Sequence, residues 1–305
     1  MMMNPRNKQS GTRLSRNTSF LSILLVLVIF MFINMIRDMD AGNQDAGQFQ
    51  VTFINVGQGD SILIKNPQNE FMLIDTGSSE QYGVLKAHLD SNNIEKFEYV
   101  IFTHPHADHI GSADKIIKEY DVGTLIMPRV THDTMTFVRL LEEIEAKRMG
   151  ITPAEAGTEY IFGDAKFFIV APLKEEYSNI NDYSVVIKMI YGINTFLFTG
   201  DIEKTSEEDI IAFCESQGEN IIVADVLKAA HHGSSSSSSQ KFLDLVKPKI
   251  AVILSDGKSY GHPHLEVIER LSDIDAVILR SDLHGNIIIS SNGRTLNIET
   301  EILPP

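Results

Sequence analysis

The chain of 305 residues contains a single cysteine, Cys214. One thiol cannot form a disulfide within the chain, and it cannot supply the several sulfur ligands of a cysteine-based zinc site. Any metal ion that the chain holds must therefore be bound by histidine and carboxylate side chains.

Basic residues are also scarce, with 26 Lys and Arg against 41 Asp and Glu and a net charge of −15. Residues 1–49 hold five of the basic and three of the acidic residues, which leaves 21 and 38 in the remainder. A domain this acidic repels nucleic acid on average, so binding to DNA needs a local cluster of basic residues along its surface. The sequence shows no such cluster.

Long hydrophobic runs are limited to residues 19–36, SFLSILLVLVIFMFINMI, which carry no charge. A membrane-spanning helix needs about 20 apolar residues, with a lower limit of about 17. Basic residues precede the run and mostly acidic ones follow it, which predicts a cytoplasmic N-terminus. We therefore expect a cytoplasmic tail at 1–18, a transmembrane anchor at 19–36, a linker at 37–48 and an extracytoplasmic domain at 49–300. A cleaved signal peptide and a buried core helix are the alternatives.

Beyond residue 48, strand-like and helix-like segments alternate. Apolar strands such as EFMLIDTG, YVIFTH and NTFLFTG form two long groups with amphipathic helices interspersed. This pattern predicts an α/β protein with two sheets sandwiched by helices. The helix TMTFVRLLEEIEAKRMG is expected to end at Gly150.

The densest group of metal-binding residue types is FTHPHADHIGS, residues 102–112. Strand side chains alternate between faces and Pro105 keeps its predecessor extended, so His104 and His106 are expected to point the same way. Asp108 and His109 follow as the chain turns into a helix near Ser112. Two ligand pairs aimed at neighbouring points suit two adjacent metal ions, which in such sites lie about 3.5–4 Å apart and activate water.

A two-metal site needs further ligands, and other strand ends offer them. Asp201 ends FLFTGD and is a candidate bridging carboxylate, while His231 and His232 end VLKAAHHGS. Asp75 ends the strand LIDTG. Loops at strand ends are where binding residues usually collect.

THPHADH, with LIDTG before it and FTGD after it, resembles the metallo-β-lactamase superfamily. The segments NVGQGDSILI, NDYSVVIKMIYG, LKAAHHGSSSSSS and SYGHP are similar to the extracytoplasmic hydrolase domain of the ComEC competence proteins and their stand-alone relatives. The resemblance spans roughly residues 49–290. It implies the αββα four-layer metallo-β-lactamase fold and two divalent ions, Zn²⁺ or Mn²⁺.

The resemblance also implies a ligand set. His104 and His106 are expected to bind one ion, Asp108 and His109 the other, and Asp201 to bridge them. One histidine of the HHG pair completes the second site. We favour His232 as that ligand and His231 as a contact to the substrate phosphate, with the reverse assignment open.

One position departs from the wider superfamily, in which many members have a further histidine between the first cluster and the bridging aspartate. The only histidine in that interval is His132. In ComEC-like sequences the corresponding segment is NDYS, so Asp182 or Asn181 is expected to line the first metal. The alternative is that Asp182 is an ordinary turn aspartate.

The remaining candidates support the centre. Asp108 is expected to orient the water that the ions activate, and His231 to stabilise the leaving oxygen, which makes this pair catalytic. Asp75 and Asp60 are expected to buttress the histidines. Ser234, with the serine run it begins, is either a linker or a substrate-side helix cap, and His262 is either a substrate contact or a hydrogen-bonded structural histidine.

These expectations favour a membrane-anchored, dimetal-dependent hydrolase of phosphodiesters, acting on a phosphoester substrate such as DNA. The first alternative is a hydrolase of small or cell-surface phosphoesters, similar to a phosphorylcholine esterase. A non-catalytic binding module is the second. The sequence allows no protein partner to be deduced.

Overall fold

The computed structural model describes Met1 and residues 47–302. The predicted tail, the predicted transmembrane helix and all but the last two residues of the predicted linker lie outside this range. Among the residues that are described, no helix has the length and apolar character needed to cross a membrane. The chain divides into two units, Met1–Gly47 and Gln48–Pro305, and the described strands and helices belong to the second unit.

The described residues form fifteen strands and eight α-helices. The strands are β1 (Phe49–Phe53), β2 (Ile62–Lys65), β3 (Phe71–Ile74), β4 (Lys96–Ile101), β5 (Asp121–Met127), β6 (Ile151–Pro153), β7 (Glu159–Phe162), β8 (Ala165–Ala171), β9 (Val186–Tyr191), β10 (Asn194–Phe198), β11 (Val226–Lys228), β12 (Ile250–Ile253), β13 (Val277–Arg280), β14 (Ile287–Ser291) and β15 (Leu296–Thr300). The helices are α1 (Tyr82–Ser91), α2 (Ala107–Ile110), α3 (Ala113–Glu119), α4 (Met135–Ala146), α5 (Lys204–Gln217), α6 (Gln240–Val246), α7 (Leu265–Asp273) and α8 (Ser281–His284).

The strands form two sheets. The first has the order β15-β14-β1-β2-β3-β4-β5-β6 and the second the order β13-β12-β11-β10-β9-β8-β7. Pairing is parallel from β3 to β6 in the first sheet and from β10 to β13 in the second.

Aromatic side chains fill the space between the sheets. Phe49 and Phe53 alternate with outward-facing residues along β1, and their rings lie 5.7 Å from Phe196 and 6.2 Å from Phe198 respectively. All four side chains are buried. Burying one phenylalanine contributes roughly 1.5–3 kcal/mol, so this layer is a main source of stability.

Helices cover the outer face of each sheet. Along β2, Ile62 and Ile64 pack between the sheets, whereas Leu63 packs under α1, α3 and α4. The helices α5, α6 and α7 pack in the same way on the second sheet. The central strands are buried on both faces and therefore read as continuous apolar runs. The predicted sandwich of two sheets between helices is confirmed.

Three strands were not predicted, and all three lie at sheet edges. β15 and β6 end the first sheet, and β7 is an edge of the second. β6 has only three residues, and β7 and β15 expose polar positions along EYIF and LNIET. Edge strands are commonly short or polar, which weakens the periodic signal that a sequence carries.

The predicted end of the fourth helix was wrong by several residues. α4 ends at Ala146, and Arg148 takes the left-handed conformation with φ of 52°. Gly150 lies beyond this turn and does not take the positive φ of a capping glycine.

The candidate residues meet because of the strand directions. The parallel strands β3 and β4 have their carboxyl ends on the same side of the first sheet. The parallel strands β10, β11 and β12 do so in the second sheet. The segments after β3, β4, β10 and β11 hold Asp75, the histidine cluster, Asp201 and the HHG pair. Ligand sites in such sheets form at the carboxyl ends of the strands.

Candidate metal centre

The histidine cluster leaves β4 at Ile101 as extended chain and turns earlier than predicted. The short helix α2 begins at Ala107, directly after His106, instead of near Ser112. The backbone N–H of Thr103 donates to Asp75 Oδ1 over 2.8 Å, which fixes the start of the turn. The early turn brings Asp108 and His109 back toward His104.

Four side chains from three segments converge on one point. Asp201 Oδ2 lies 3.1 Å from His109 Nε2 and 3.2 Å from His232 Nε2. Asp108 Oδ2 lies 3.4 Å from the same His232 nitrogen. The four ligand atoms all lie within 4.8 Å of one another. The resemblance implied Asp108 and His109 for the second metal, Asp201 as the bridge and one histidine of the HHG pair, with His232 favoured.

The unpaired nitrogens of this group test whether a cation fits. His109 Nε2 and His232 Nε2 are buried and, in the part of the chain that the structure describes, have no hydrogen-bond partner. Both are close to Asp201 but not aligned for a hydrogen bond. Two orphaned imidazole nitrogens that face a shared carboxylate oxygen are what a metal ion between them requires. The donor set therefore fits a divalent ion.

The first predicted pair lies beside this group. His104 Nε2 and His106 Nδ1 are 3.0 Å apart, and the ring centroids of His104 and His109 are 4.1 Å apart. His104 Nδ1 lies 3.2 Å from Thr103 Oγ1 and 3.3 Å from Ser184 Oγ, which leaves Nε2 free to face His106. Two adjacent ligand pairs match a di-metal centre.

The two histidines of the HHG pair occupy different places. His232 is buried, and its Nδ1 donates to Leu254 O over 2.9 Å, which leaves Nε2 for the centre. His231 lies farther away, with Nε2 3.9 Å from Asp201 Oδ2, and its Nδ1 lies 3.2 Å from Glu203 Oε1. Geometry thus puts His232 with the ligands and His231 at the cavity.

The backbone of this pair is strained. His231 and His232 have φ of 51° and 54°, and Gly233 follows at 83°. Each non-glycine residue in such a conformation costs about 1–3 kcal/mol. Strain of this kind persists only where surrounding contacts impose it, and it gathers at functional sites.

The turn GQGD, residues 57–60, packs against the backbone of the histidine cluster. A side chain at Gly59 would place its Cβ 2.2 Å from the carbonyl oxygen of Asp108, so only glycine fits there. The next residue, Asp60, donates its backbone N–H to that same oxygen over 3.2 Å. Its carboxylate reaches His232 Nδ1 at 3.3 Å. Asp60 therefore contacts a candidate ligand.

Asp75 contacts the other buried histidine. Asp75 Oδ2 lies 2.8 Å from His109 Nδ1 and accepts a hydrogen bond from Thr103 Oγ1 over 2.6 Å. A carboxylate that holds one ring nitrogen fixes the tautomer and aims the other nitrogen at the metal.

Lys228 is the functional residue that sequence reasoning missed. It is fully buried, and its Nζ lies 2.5 Å from Asp60 Oδ2, 2.9 Å from Gly200 O and 3.5 Å from Asp201 Oδ1. It holds one oxygen of Asp201 and leaves the other facing the histidines. The available signal was a lysine inside the otherwise apolar strand VLKAA, because lysine is rarely buried without a partner.

Opposing charges shift the pKa values throughout the centre. Burial disfavours the charged ring of both His109 and His232, but Asp201 and the other carboxylates raise the pKa of each well above its usual range. Burial and the neighbouring His109 hold the pKa of His104 well below its usual range. Burial opposes ionisation of Asp201, yet the two histidines and Lys228 keep its pKa well below the ordinary value.

The structure places Asp182 elsewhere and so corrects its predicted role. Its Oδ1 accepts hydrogen bonds from the backbone N–H groups of Glu203 and Ser206, at 2.9 and 3.1 Å. It therefore accepts hydrogen bonds from free amides at the N-terminus of α5, one of them just before the helix and one in its first turn. Asn181 donates to Glu203 Oε1. The residue of NDYS that reaches the centre is Ser184, whose Oγ accepts from the Asp201 N–H over 3.0 Å.

The serine run is a fixed turn and not a linker. Ser237 Oγ donates to Ile202 O over 2.7 Å, and the N–H groups of Ser238 and Ser239 donate to the buried carboxylate of Glu207. Ser234 bonds Ser236 and is not among the described residues that line the cavity over the centre. Its expected contact with the substrate stays a prediction.

A cavity of about 460 Å³ opens above the ligands. His262 is buried in its wall, with Nδ1 3.4 Å from Gln58 Nε2, and burial lowers the pKa of its ring to about 4. His132 also reaches the wall, with its ring 5.8 Å from that of His106. The described lining residues are Gln58, His106, Ala107, Asp108, His132, Thr134, Asp201, His231, His232, Tyr260 and His262.

A sandwich of two sheets between helices, with histidines and aspartates gathered at the carboxyl ends of its strands, defines a class of metal-binding α/β folds. A family model described as the metallo-beta-lactamase superfamily matches residues 54–258. The chain belongs to the metallo-β-lactamase superfamily.

Two curated relatives narrow this assignment. The chain is similar to ComE operon protein 3 of Bacillus subtilis (strain 168), with 30% identity over 78% of this chain and 32% of that protein. It is also similar to Recombination protein 2 of Haemophilus influenzae, with 29% identity over 89% of this chain and 31% of that protein. The chain thus spans about a third of the length of these relatives. These findings relate it to proteins named for competence and recombination.

Solved structures show the same fold at low identity. CmlA, a diiron beta-hydroxylase from Streptomyces venezuelae, has a TM-score of 0.55 and 13% identity, covering 79% of this chain and 54% of its own. The metallo-beta-lactamase fold protein YhfI from Bacillus subtilis has a TM-score of 0.51 and 14% identity, covering 80% of this chain and 100% of its own.

Replacing Lys228 with Met is expected to destabilise the metal-free protein by about 3–5 kcal/mol, because Asp60 is left buried without its cation. Urea unfolding followed by circular dichroism measures the change. Lys241→Met is the matched control, since Lys241 pairs with Glu215 at the surface, where both side chains are more than half exposed. Equal midpoints for the two variants would contradict the role assigned to Lys228.

Metal binding is expected to release protons from the buried histidines. The raised pKa values favour the protonated rings of His109 and His232 in the metal-free protein, and a metal ion binds only the neutral ring. Affinity therefore falls as the pH falls. Calorimetric titration with Zn²⁺ in buffers of different ionisation enthalpy counts the protons, and His232→Gln should lower the count. A count of zero in the unaltered protein would overturn this interpretation.

Proposed function

We propose that the chain is a metal-dependent phosphodiesterase. The observation that carries this proposal is the shared carboxylate of Asp201, which faces His109 and His232 at the floor of an open cavity. His104 and His106 would hold one ion, Asp108, His109 and His232 the other, and Asp201 both. Two such ions, when bound, supply Lewis acidity and an activated water.

Two side chains of the chain act on the substrate from the cavity. The Asp108 side chain is 33% exposed, so its carboxylate can accept a hydrogen bond from the attacking water and orient it. His231 is 23% exposed and faces the cavity beside Asp201. A hydrogen bond from its ring to the departing phosphoester oxygen would stabilise the charge that develops there.

Asp201→Asn is expected to reduce hydrolysis of bis(para-nitrophenyl) phosphate at least about 100-fold, because the charge that holds both ions in register is removed. Initial rates at saturating Mn²⁺ or Zn²⁺ measure the loss. Asp244→Asn, on the exposed face of α6, is the control and should leave the rate unchanged. Full activity in Asp201→Asn would disprove the di-metal mechanism.

The names of the relatives favour DNA as the phosphodiester substrate. One further relative is a protein named Competence protein ComA. The acidic body and the absence of Lys and Arg from the eleven described lining residues favour the second candidate, a small or cell-surface phosphoester. Comparing cleavage of single-stranded DNA, double-stranded DNA and phosphocholine esters separates the two. A non-catalytic binding module has the least support, because Asp108, His109, Asp201 and His232 still converge on one point.

We also propose that residues 19–36 anchor the chain in the cell membrane as a single pass. The support is the charge-free apolar run with basic residues before it and mostly acidic residues after it. The same pattern favours a hydrolase domain outside the cytoplasm.

Protease added to intact spheroplasts is expected to digest the domain that begins near residue 49, since the proposed topology exposes it. Immunoblotting with an antibody against the domain measures its loss, and a cytoplasmic marker protein is the control. Protection of the domain on intact cells, with digestion after lysis, would reverse the topology.

A further inference from the structure

The mouth of the cavity carries an exposed aromatic ring that the proposed mechanism does not use. Tyr260 is 81% exposed, and Phe213 is next among the aromatic residues described, at 36%. Tyr260 lines the same cavity as Asp201 and His232. An exposed aromatic ring at the edge of the cavity suggests contact with a flat or apolar part of the ligand.

Hydrogen bonds fix the backbone of the loop directly before this ring. Asp256 accepts hydrogen bonds from the N–H groups of Lys258 and Ser259, at 2.9 and 2.7 Å, and from Ser259 Oγ at 2.7 Å. Tyr260 itself has φ of 55°, a conformation that bulky residues rarely adopt. The loop thus presents one tyrosine toward the solvent side of the cavity.

His262 connects the ring to the metal centre. Its ring centroid lies 5.8 Å from that of Tyr260, 5.5 Å from that of His231 and 6.3 Å from that of His232. The wall therefore runs from the candidate ligands, through a buried histidine, to one exposed tyrosine. A group attached to a phosphate at the centre would lie along this wall.

We propose that Tyr260 is a stacking surface for a nucleobase, so that the substrate is a nucleotidyl phosphoester whose phosphate lies at the metal centre. This inference rests on the proposed phosphodiesterase function. A base of any identity has a π face that stacks on an aromatic side chain. Recognition by stacking also suits a cavity whose described lining contains no Lys or Arg to follow a phosphate backbone.

The geometry favours a base over a quaternary ammonium group. Choline-type cations are held in cages of several aromatic rings. Here a single phenol ring is open to solvent, and the neighbouring His262 ring is tilted from it by 41° and buried. One open face fits a flat partner.

Binding to the metal-loaded full chain tests the inference without requiring turnover. We expect thymidine monophosphate to bind more tightly than deoxyribose phosphate by roughly 5- to 150-fold, the range of one base stacked on an aromatic residue. Tyr260→Ala should remove this preference while leaving the affinity for deoxyribose phosphate unchanged. Tyr260→Phe should retain the preference, and Phe213→Ala is the matched control away from the cavity.

Several results would overturn the inference. The first is that the unaltered chain binds thymidine monophosphate no more tightly than deoxyribose phosphate. The second is that Tyr260→Ala loses affinity equally for both ligands. The third is that Phe213→Ala loses the preference for thymidine monophosphate as Tyr260→Ala does. Loss of phosphocholine binding alone in Tyr260→Ala would assign the ring to a cation instead. Hydrolysis of bis(para-nitrophenyl) phosphate is measured in parallel, so an inactive chain that still prefers the nucleotide refutes only the phosphodiesterase function.

Discussion

The buried ion pair between Lys228 and Asp60, with Asp201 beside it, is the interaction on which the candidate centre depends. Four carboxylates, those of Asp60, Asp75, Asp108 and Asp201, lie within one small region, and three of them are almost completely buried. Burying charges is costly unless they are paired, and a lysine in the last position of β11 offsets part of this cost. The remaining negative charge is what makes the site suited to divalent cations. The same lysine orients Asp201, so one side chain both offsets the negative charge of the buried carboxylates and sets the position of the Asp201 carboxylate.

Strand direction determines how the other residues reach this point. The first sheet supplies the turn after β4 and the aspartate after β3, and the second supplies the segments after β10 and β11. Asp75, His231 and His232 take strained backbone conformations that direct their side chains to the candidate centre. At Gly59 the backbone packs directly against the backbone of Asp108 beneath that centre. The sheets therefore act as rigid supports for short loops, which is how α/β proteins usually build sites.

Sequence reasoning predicted the sandwich and the convergent ligand group because both leave local patterns, namely apolar strands and dense titratable motifs at strand ends. It failed where the pattern was weak or ambiguous. Edge strands such as β15 are short or polar, so their periodicity is low. Asp182 and Ser184 lie two residues apart, and only the fold shows that one caps α5 while the other contacts Asp201. Lys228 was missed because a single lysine in a strand does not reveal its partners, which lie 168 and 27 residues away in the chain.

The origin of the ligands on two different sheets has a consequence for the lifetime of the protein. An ion held by His109 from one sheet and by Asp201 and His232 from the other would be a reversible cross-link between the two halves of the sandwich. Anything that binds the native state alone stabilises it by mass action, by about 2.7 kcal/mol when its concentration is 100 times the dissociation constant. A chain with no disulfide of its own would thus gain a reversible staple, and its resistance to unfolding and proteolysis would follow the supply of metal around it.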